Sequence, residues 1–368
     1  MDKKIAIVYD WIDKWGGVER ILLTLHEMFP HSTFYTSYFD INSAQWASRL
    51  SLKPSFIQRF PQFIKKSRFF SLPLYPLAFE SFNFDSYNFV ISVTSSFAKA
   101  VITKPSTRHV CYLLTPTRFL WSHVKDYQNN MQKKTSSLFS SYLKTWDLAA
   151  SQRPDKIISI SETVAKRCSK YYGRESEVIY PPFDVEYWSK INLQMTSNKL
   201  QTNSKFYLVV SRLEPYKKVD LAIKVLNNLP NEKFIIVGQG TQERNLKSMA
   251  NKNIELIPYV SDEELAYLYS QAEALIMPQE EDFGYVSLEA QFFGCPVIAY
   301  KKGGATETII NNRTGLFFSE QTISSVSQAL EQFHTISYNL KNSTKEFGRT
   351  HVEKFSKEKF TDAFKTFL

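Results

Sequence analysis

Cysteine is nearly absent: three residues, Cys111, Cys168 and Cys295, stand far apart in a chain of 368. An odd number with no Cys-x-x-Cys pair excludes a disulfide framework and a cysteine zinc site, and fits a reducing compartment. Long apolar runs are lacking too. No stretch approaches the roughly 20 apolar residues of a spanning helix, and Ile5 to Tyr9, behind Met1-Asp2-Lys3-Lys4, is too short for a signal peptide. The expectation is a cytoplasmic protein, soluble or held peripherally at the inner face of the plasma membrane. The net charge of +9 comes without any nucleic-acid-binding pattern. It therefore suits anionic substrates or an anionic membrane surface, and no nucleic acid is expected as a partner.

What is present is apolar and aromatic. The apolar fraction is 43%, with 29 Phe and 20 Tyr, enough for two cores, and the length favours two domains. Short buried-strand runs alternate with helical periods, the pattern of parallel sheets flanked by helices. Strands are expected at 4–9, 88–93, 110–114 and 156–160, then at 206–210, 234–237, 254–257, 274–277, 296–299 and 316–318. Helices are expected at 17–28, 162–171, 219–229, 262–271, 324–333, 343–351 and 357–368. A polar stretch, 189–204, reads as a linker. The first domain then spans 1–188 and the second 205–351, with a C-terminal helix of about 352–368 crossing back to the first. Ligands in two doubly wound domains belong at the carboxyl ends of the strands.

The segment Pro278-Gln279-Glu280-Glu281-Asp282-Phe283-Gly284-Tyr285-Val286-Ser287-Leu288-Glu289-Ala290 follows a strand and opens a helix. Free N–H groups and the positive dipole end of a helix start favour an anion such as a diphosphate. Glu281 would stand beside that anion. Glu289 would lie roughly 12 Å on if the path were helical. Upstream, Ser211-Arg212-Leu213-Glu214-Pro215-Tyr216-Lys217-Lys218 places Arg212 and Lys217 at a strand's carboxyl end, where two cations can hold a departing diphosphate.

This Glu-x7-Glu segment, the Arg-x4-Lys pair before it, Val237-Gly238-Gln239-Gly240 and Tyr300-Lys301-Lys302-Gly303-Gly304-Ala305-Thr306-Glu307 together resemble the donor half of the family 4 retaining glycosyltransferases, over about 209–318. The resemblance implies an α/β architecture of GT-B type, two Rossmann-like doubly wound parallel-sheet domains facing across a cleft. It implies a hexosyltransferase moving a mannose-like sugar from a nucleotide diphosphate sugar to a hydroxyl acceptor. GDP-mannose is the expected donor, with no metal or other cofactor. Catalytic roles fall on Glu281, Arg212 and Lys217. Donor-binding roles fall on Gly16, Gly17, Gly238, Phe283, Gly284, Tyr285 and Glu289, and on Val260 within Ile257-Pro258-Tyr259-Val260-Ser261-Asp262, which is similar to the family's nucleobase segment; Ser261 or Asp262 could equally be only a helix cap.

In the first half, Trp15-Gly16-Gly17-Val18-Glu19-Arg20 joins the first strand to the first helix and resembles the family's Gly-Gly loop. Ser92-Val93-Thr94-Ser95-Ser96-Phe97-Ala98-Lys99 resembles its Ser-rich turn. Glu19, Ser95, Ser96, Lys99 and Arg118 are acceptor-side candidates. Cys111-Tyr112-Leu113-Leu114-Thr115-Pro116-Thr117-Arg118-Phe119-Leu120-Trp121 resembles a segment of bacterial and archaeal mannosyltransferase-like members, but has Leu114 where the family has His. There the His lies against the donor sugar and touches its 6-hydroxyl. His109 is roughly 16 Å back along the same strand on the opposite face and cannot replace it; His123 lies beyond the Pro116 turn. A 6-deoxyhexose donor (rhamnose or fucose) would not miss the contact, and a weakened or purely nucleotide-sugar-binding protein is the other consequence. The acceptor is expected to be a cell-surface polysaccharide or lipid-linked glycan.

Phe56, Phe60, Phe63, Phe69 and Phe70 interleave with Arg59, Lys65, Lys66 and Arg68. Rings plus cations suit an anionic bilayer, or the rings pack inward and the cations stay solvated; four prolines break any helical period.

Overall fold

The structure, a computed structural model, describes residues 3–122, 137–194 and 205–367. It divides into two compact units, Met1–Pro182 with Phe360–Leu368, and Phe183–Lys359. Helix Val185–Gln194 lies in the second unit. Residues 189–194 of the stretch read as a linker are thus helical, and 195–204 lie outside the described residues.

The first unit is built on seven parallel strands: β1 (Ile5–Tyr9), β2 (Thr33–Thr36), β3 (Ser51–Pro54), β4 (Phe89–Thr94), β5 (Arg108–Leu113), β6 (Lys156–Ser159) and β7 (Glu177–Val178). Their order is β3-β2-β1-β4-β5-β6-β7. The run in β1 is apolar on both faces, and both β1 and β4 are almost wholly buried, as parallel strands covered by helices must be, with Ser92 and Thr94 on β4 hydrogen-bonded. Helix Gly17–Met28 returns from β1 to the sheet on Ile21, Leu22 and Leu25, all buried. Each such side chain is worth about 1.5–3 kcal/mol in burial. The C-terminal segment joins this unit through Phe360 and Phe364, whose rings lie 5.7 and 6.0 Å from that of Tyr112 on β5.

The second unit carries β8 (Phe206–Val210), β9 (Lys233–Val237), β10 (Ile254–Ile257), β11 (Leu275–Met277), β12 (Val297–Tyr300) and β13 (Gly315–Phe318), all parallel, in the order β10-β9-β8-β11-β12-β13. The two helices expected within 324–351 are one helix of 30 residues, Ile323–Val352. Nothing between them breaks the helix, and buried Leu340 and Thr344 continue its inner face. Its Gly348 meets the end of helix Tyr285–Phe292 so closely that a Cβ would stand 2.3 Å from the Gln291 carbonyl oxygen.

Both sheets reverse strand order once, between β1 and β4 in the first and between β8 and β11 in the second. Beyond the carboxyl ends of strands at such a reversal the flanking connections diverge and open a crevice. The Gly16–Gly17 and Ser95–Lys99 segments follow β1 and β4; the Ser211–Lys217 and Pro278–Gly284 segments follow β8 and β11.

Candidate active site

In the second unit the loops beyond β8 and β11 meet through their charges. Lys217 Nζ lies 2.5 Å from Glu281 Oε1, with side chains only 10% and 17% exposed. The same oxygen accepts from Gln279 Nε2 at 3.0 Å. Lys217 ends a 3-10 turn, Pro215–Lys217, and Lys218 then takes a left-handed φ of +53° to enter helix Val219–Leu226. A left-handed lysine costs about 1–2 kcal/mol. The turn it makes sets the Lys217 ammonium just before a helix start, where backbone N–H groups also favour an anion. Arg212 is exposed. Its Nη2 donates to the Tyr216 hydroxyl at 2.9 Å, and Lys217 Nζ sits 5.5 Å above the Tyr216 ring, so one tyrosine ties the two cations together.

Backbone contacts that only glycine permits hold both loops. A Cβ on Gly238 (φ +148°) would stand 1.9 Å from the Ser211 carbonyl oxygen, and one on Gly303 (φ +71°) 2.2 Å from that of Glu281. Gly304 N–H donates to the Glu281 carbonyl at 2.8 Å. The two glycine turns therefore act as back walls for the cation loop and the Glu281 loop respectively. Gly284, φ +96°, caps helix Tyr285–Phe292, and the Phe283 ring packs between Tyr285 and Phe355, at 5.3 and 5.6 Å. Phe283 thus contributes its ring to packing. Glu289, on that helix, is 4% exposed and accepts from the Tyr269 hydroxyl at 3.0 Å. Val260 borders the cap of the next helix, Asp262–Gln271. There Ser261 forms a full capping box with Glu264, so Ser261 is accounted for by capping.

In the first unit the crevice is organised by a residue that motif reading overlooked. Asp10, directly after β1, is fully buried and accepts four hydrogen bonds: from Thr94 Oγ1, Ser95 N, Phe97 N and Ala98 N, at 2.8, 2.9, 2.8 and 2.8 Å. It shapes the turn bearing Ser95 and Ser96. Its signal in the sequence is an acid at the carboxyl end of a buried strand. Gly16 is the N-cap of helix Gly17–Met28 and offers no side chain. Glu19 is buried, its carboxylate 3.1 Å from where a Gly16 Cβ would be.

Lys99, an acceptor-side candidate in the sequence, is buried. It is 1% exposed, paired to Asp147 Oδ1 at 2.6 Å, and it donates to the Ser96 carbonyl. Asp147, on helix Ser137–Ser151, also accepts from Thr117 Oγ1, Trp121 Nε1 and the Tyr172 hydroxyl, at 2.8, 2.7 and 3.0 Å. A buried charge with this many partners is structural. Its effect is to anchor the Thr115–Trp121 segment on both sides of half-buried Arg118. Leu114 is 5% exposed and donates its N–H to the Thr94 carbonyl at 2.8 Å. His109 is buried, with Nε2 2.8 Å from Ser92 Oγ; burial pushes its pKa down to about 4. It is a core histidine. His123 lies outside the described residues. All three cysteines are free and buried; burial raises their pKa values to about 12, 11 and 12, and they are inert as thiolates.

The aromatic stretch 56–70 divides. Arg68 turns inward, 2.5 Å from Asp13 Oδ2 and 3.9 Å from the Trp11 ring. Phe56, Phe60 and Phe69 are half-buried. Phe63 and Phe70, 67% and 56% exposed, meet edge to face at 6.3 Å, with Leu77 also exposed.

Two all-parallel doubly wound units, each with its loops gathered at one strand-order reversal, define the class: a GT-B fold. Comparison with a solved structure agrees. The Anabaena protein HepE in complex with UDP superposes with a TM-score of 0.72 at 14% identity, covering 99% of this chain and 98% of that one. Residues 190–351 match the family Glycosyl transferases group 1. The chain thus has a GT-B fold, and its second half is similar to group 1 glycosyltransferases. Human alpha-1,3/1,6-mannosyltransferase ALG2 is 30% identical over 214 residues, 51% of this chain and 51% of that protein. An uncharacterized glycosyltransferase of Haemophilus influenzae is 22% identical over 333 residues, 87% and 86%. The chain spans about half the length of the first curated relatives it matches.

Proposed function

We propose that this protein is a retaining hexosyltransferase that moves a sugar from a nucleoside diphosphate to a hydroxyl acceptor. The observation that carries the reading is the Lys217–Glu281 pair, 2.5 Å apart, at the strand-order reversal of the second sheet. A glycosidic bond to diphosphate breaks as negative charge builds on the leaving oxygen. Fixed cations aimed at that charge stabilise the transition state more than the ground state. Lys217 and Arg212 supply those cations, with the start of helix Val219–Leu226 behind them, and no metal is assigned a role. Glu281 orients hydroxyls of the sugar. Glu289 takes the ribose, the segment around Val260 the base, and the Gly284 and Tyr285 backbone the sugar and phosphate. In the first unit, Gly16, Gly17 and Glu19 belong to the loop after β1, and Ser95, Ser96 and Arg118 are proposed on the acceptor side.

Mannose from GDP-mannose is the favoured donor, in keeping with the mannosyltransferase named among the relatives; UDP sugars are the next choice, since HepE was solved with UDP. Leu114 keeps a 6-deoxyhexose donor open. The acceptor is proposed to be a lipid-linked or cell-surface glycan, reached from the cytoplasmic face of a membrane. Exposed Phe63, Phe70 and Leu77, with Arg59 and Lys66 near them in sequence, support that peripheral contact. A thermal-shift series with GDP-, UDP- and dTDP-sugars, followed by donor hydrolysis and transfer assays, tests the function. Binding without turnover would reassign the chain as a nucleotide-sugar-binding protein of an assembly complex. No shift with any nucleotide sugar would remove the reading.

A further inference from the structure

The two groups to which the proposed function gives separate tasks are paired with each other. Lys217 Nζ is 2.5 Å from Glu281 Oε1. A diphosphate seated on Lys217 must therefore displace or share a carboxylate already there. The pair is largely withdrawn from water, so the competition is only weakly screened. Gln279 Nε2 supports the same Glu281 Oε1 at 3.0 Å, while the Gln279 side-chain oxygen is buried and without a hydrogen-bond partner among the described residues. An orphaned acceptor costs about 1–3 kcal/mol. The resting arrangement thus leaves one buried polar atom unmet that an incoming hydroxyl donor, such as one of the sugar's, would satisfy. The Glu281 backbone is held by Gly303 and Gly304, so the loop is anchored where its carboxylate meets Lys217.

We propose that Glu281 is the resting counter-ion of Lys217 and competes with the nucleoside diphosphate product for it, which weakens product binding and speeds release. This rests on the reading of the site as a nucleotide-sugar site. Before reaction, the sugar engages Glu281 and draws it from Lys217. After transfer the sugar is gone, Glu281 is again available, and the diphosphate loses its hold on the ammonium. One carboxylate thereby distinguishes donor from product, although both carry the same diphosphate.

The test is a double-mutant cycle read by calorimetric binding of UDP and GDP, not by turnover. Glu281→Gln should bind its preferred nucleoside diphosphate at least about fivefold tighter than the unaltered protein, with a matching fall in the dissociation rate. Lys217→Met should bind more weakly, and adding Glu281→Gln to it should then change nothing. Glu280→Gln, one residue away and paired to Lys302 at 3.2 Å, should give much less than the Glu281 gain. Equal or weaker binding by Glu281→Gln overturns the inference and leaves the site reading intact. A gain that persists without Lys217 also overturns it, because Glu281 would then act as a general repulsive charge. Failure of the unaltered protein to bind any nucleoside diphosphate defeats both the inference and the site reading.

Discussion

The carboxylate of Asp10 and the hydroxyl of Thr94 meet at 2.8 Å where β1 and β4 part, and three backbone N–H groups close on the same carboxylate. All four donors lie in the turn 94–98, which carries the proposed acceptor-side serines. Asparagine has the same shape but one acceptor oxygen, and its amide would point hydrogens at N–H donors. Asp10→Asn should therefore destabilise the first unit by about 2–4 kcal/mol, seen as a lower urea midpoint at unchanged m-value. A loss under about 0.5 kcal/mol would show that the turn does not depend on this carboxylate.

Gly303 and Gly173 have similar left-handed angles, φ +71° and +64°, and opposite surroundings. A Cβ at Gly303 would lie 2.2 Å from the Glu281 carbonyl oxygen; at Gly173, the cap of helix Glu162–Tyr172, it would meet nothing within 4 Å. Both alanine variants carry left-handed strain of about 1 kcal/mol. Only Gly303→Ala must also push the Glu281 backbone. Transfer should fall at least about tenfold in Gly303→Ala and stay near normal in Gly173→Ala, since small displacements at a reacting site are costly. Equal activities would dismiss the back-wall role of the glycine turn.

These two cases mark what could be read from the chain and what could not. The loops that meet in the second unit were legible because their signals are local: a cation pair five residues apart in a post-strand loop, and glycines that stand out in a chain with few of them. The fold was legible because buried parallel strands such as Ile5–Tyr9 and Phe206–Val210 are unbroken apolar runs. β3 escaped notice because it is an edge strand with alternating exposure that ends in Pro54. Lys99 reads as an acceptor-side candidate because its partner Asp147 lies 48 residues on, a pairing no local pattern displays. Asp10 is in the same position: its donors come from a strand end and the turn after it, more than 80 residues away.

His109 makes stability depend on pH. Its pKa is held down to about 4 by burial, against an ordinary value of 6.5. Above pH 6.5 the side chain is neutral both folded and unfolded and contributes no slope. Between 6.5 and 4 the unfolded chain takes up the proton and the folded one does not, so stability falls as pH falls. The loss accumulates to about 1–3 kcal/mol by pH 4. Unfolding midpoints measured from pH 7 to 4.5 should drop, and His109→Gln, which keeps a polar group toward Ser92, should flatten that part of the curve. An unchanged curve in the variant would locate the pH response elsewhere, with His351, whose pKa burial also lowers, as the next group to replace.

Leu114 tests the donor sugar. It is buried just past β5, at the place where the family's pattern carries a histidine against the sugar's 6-hydroxyl. Introducing an imidazole at a site 5% exposed costs stability, about 1–3 kcal/mol if one nitrogen goes unpaired, so absolute rates of Leu114→His would mix folding with chemistry. The ratio of kcat/KM for GDP-mannose to that for a GDP-6-deoxyhexose cancels the folded fraction, because both donors meet the same enzyme. If leucine at this position reflects a donor without the hydroxyl, the unaltered protein should prefer the 6-deoxy sugar. Leu114→His should then shift the ratio toward mannose by roughly tenfold, the value of one well-placed hydrogen bond to a buried group. A ratio that does not move would mean that the residue after β5 does not select the sugar, and the choice would then have to rest on the Glu281 loop.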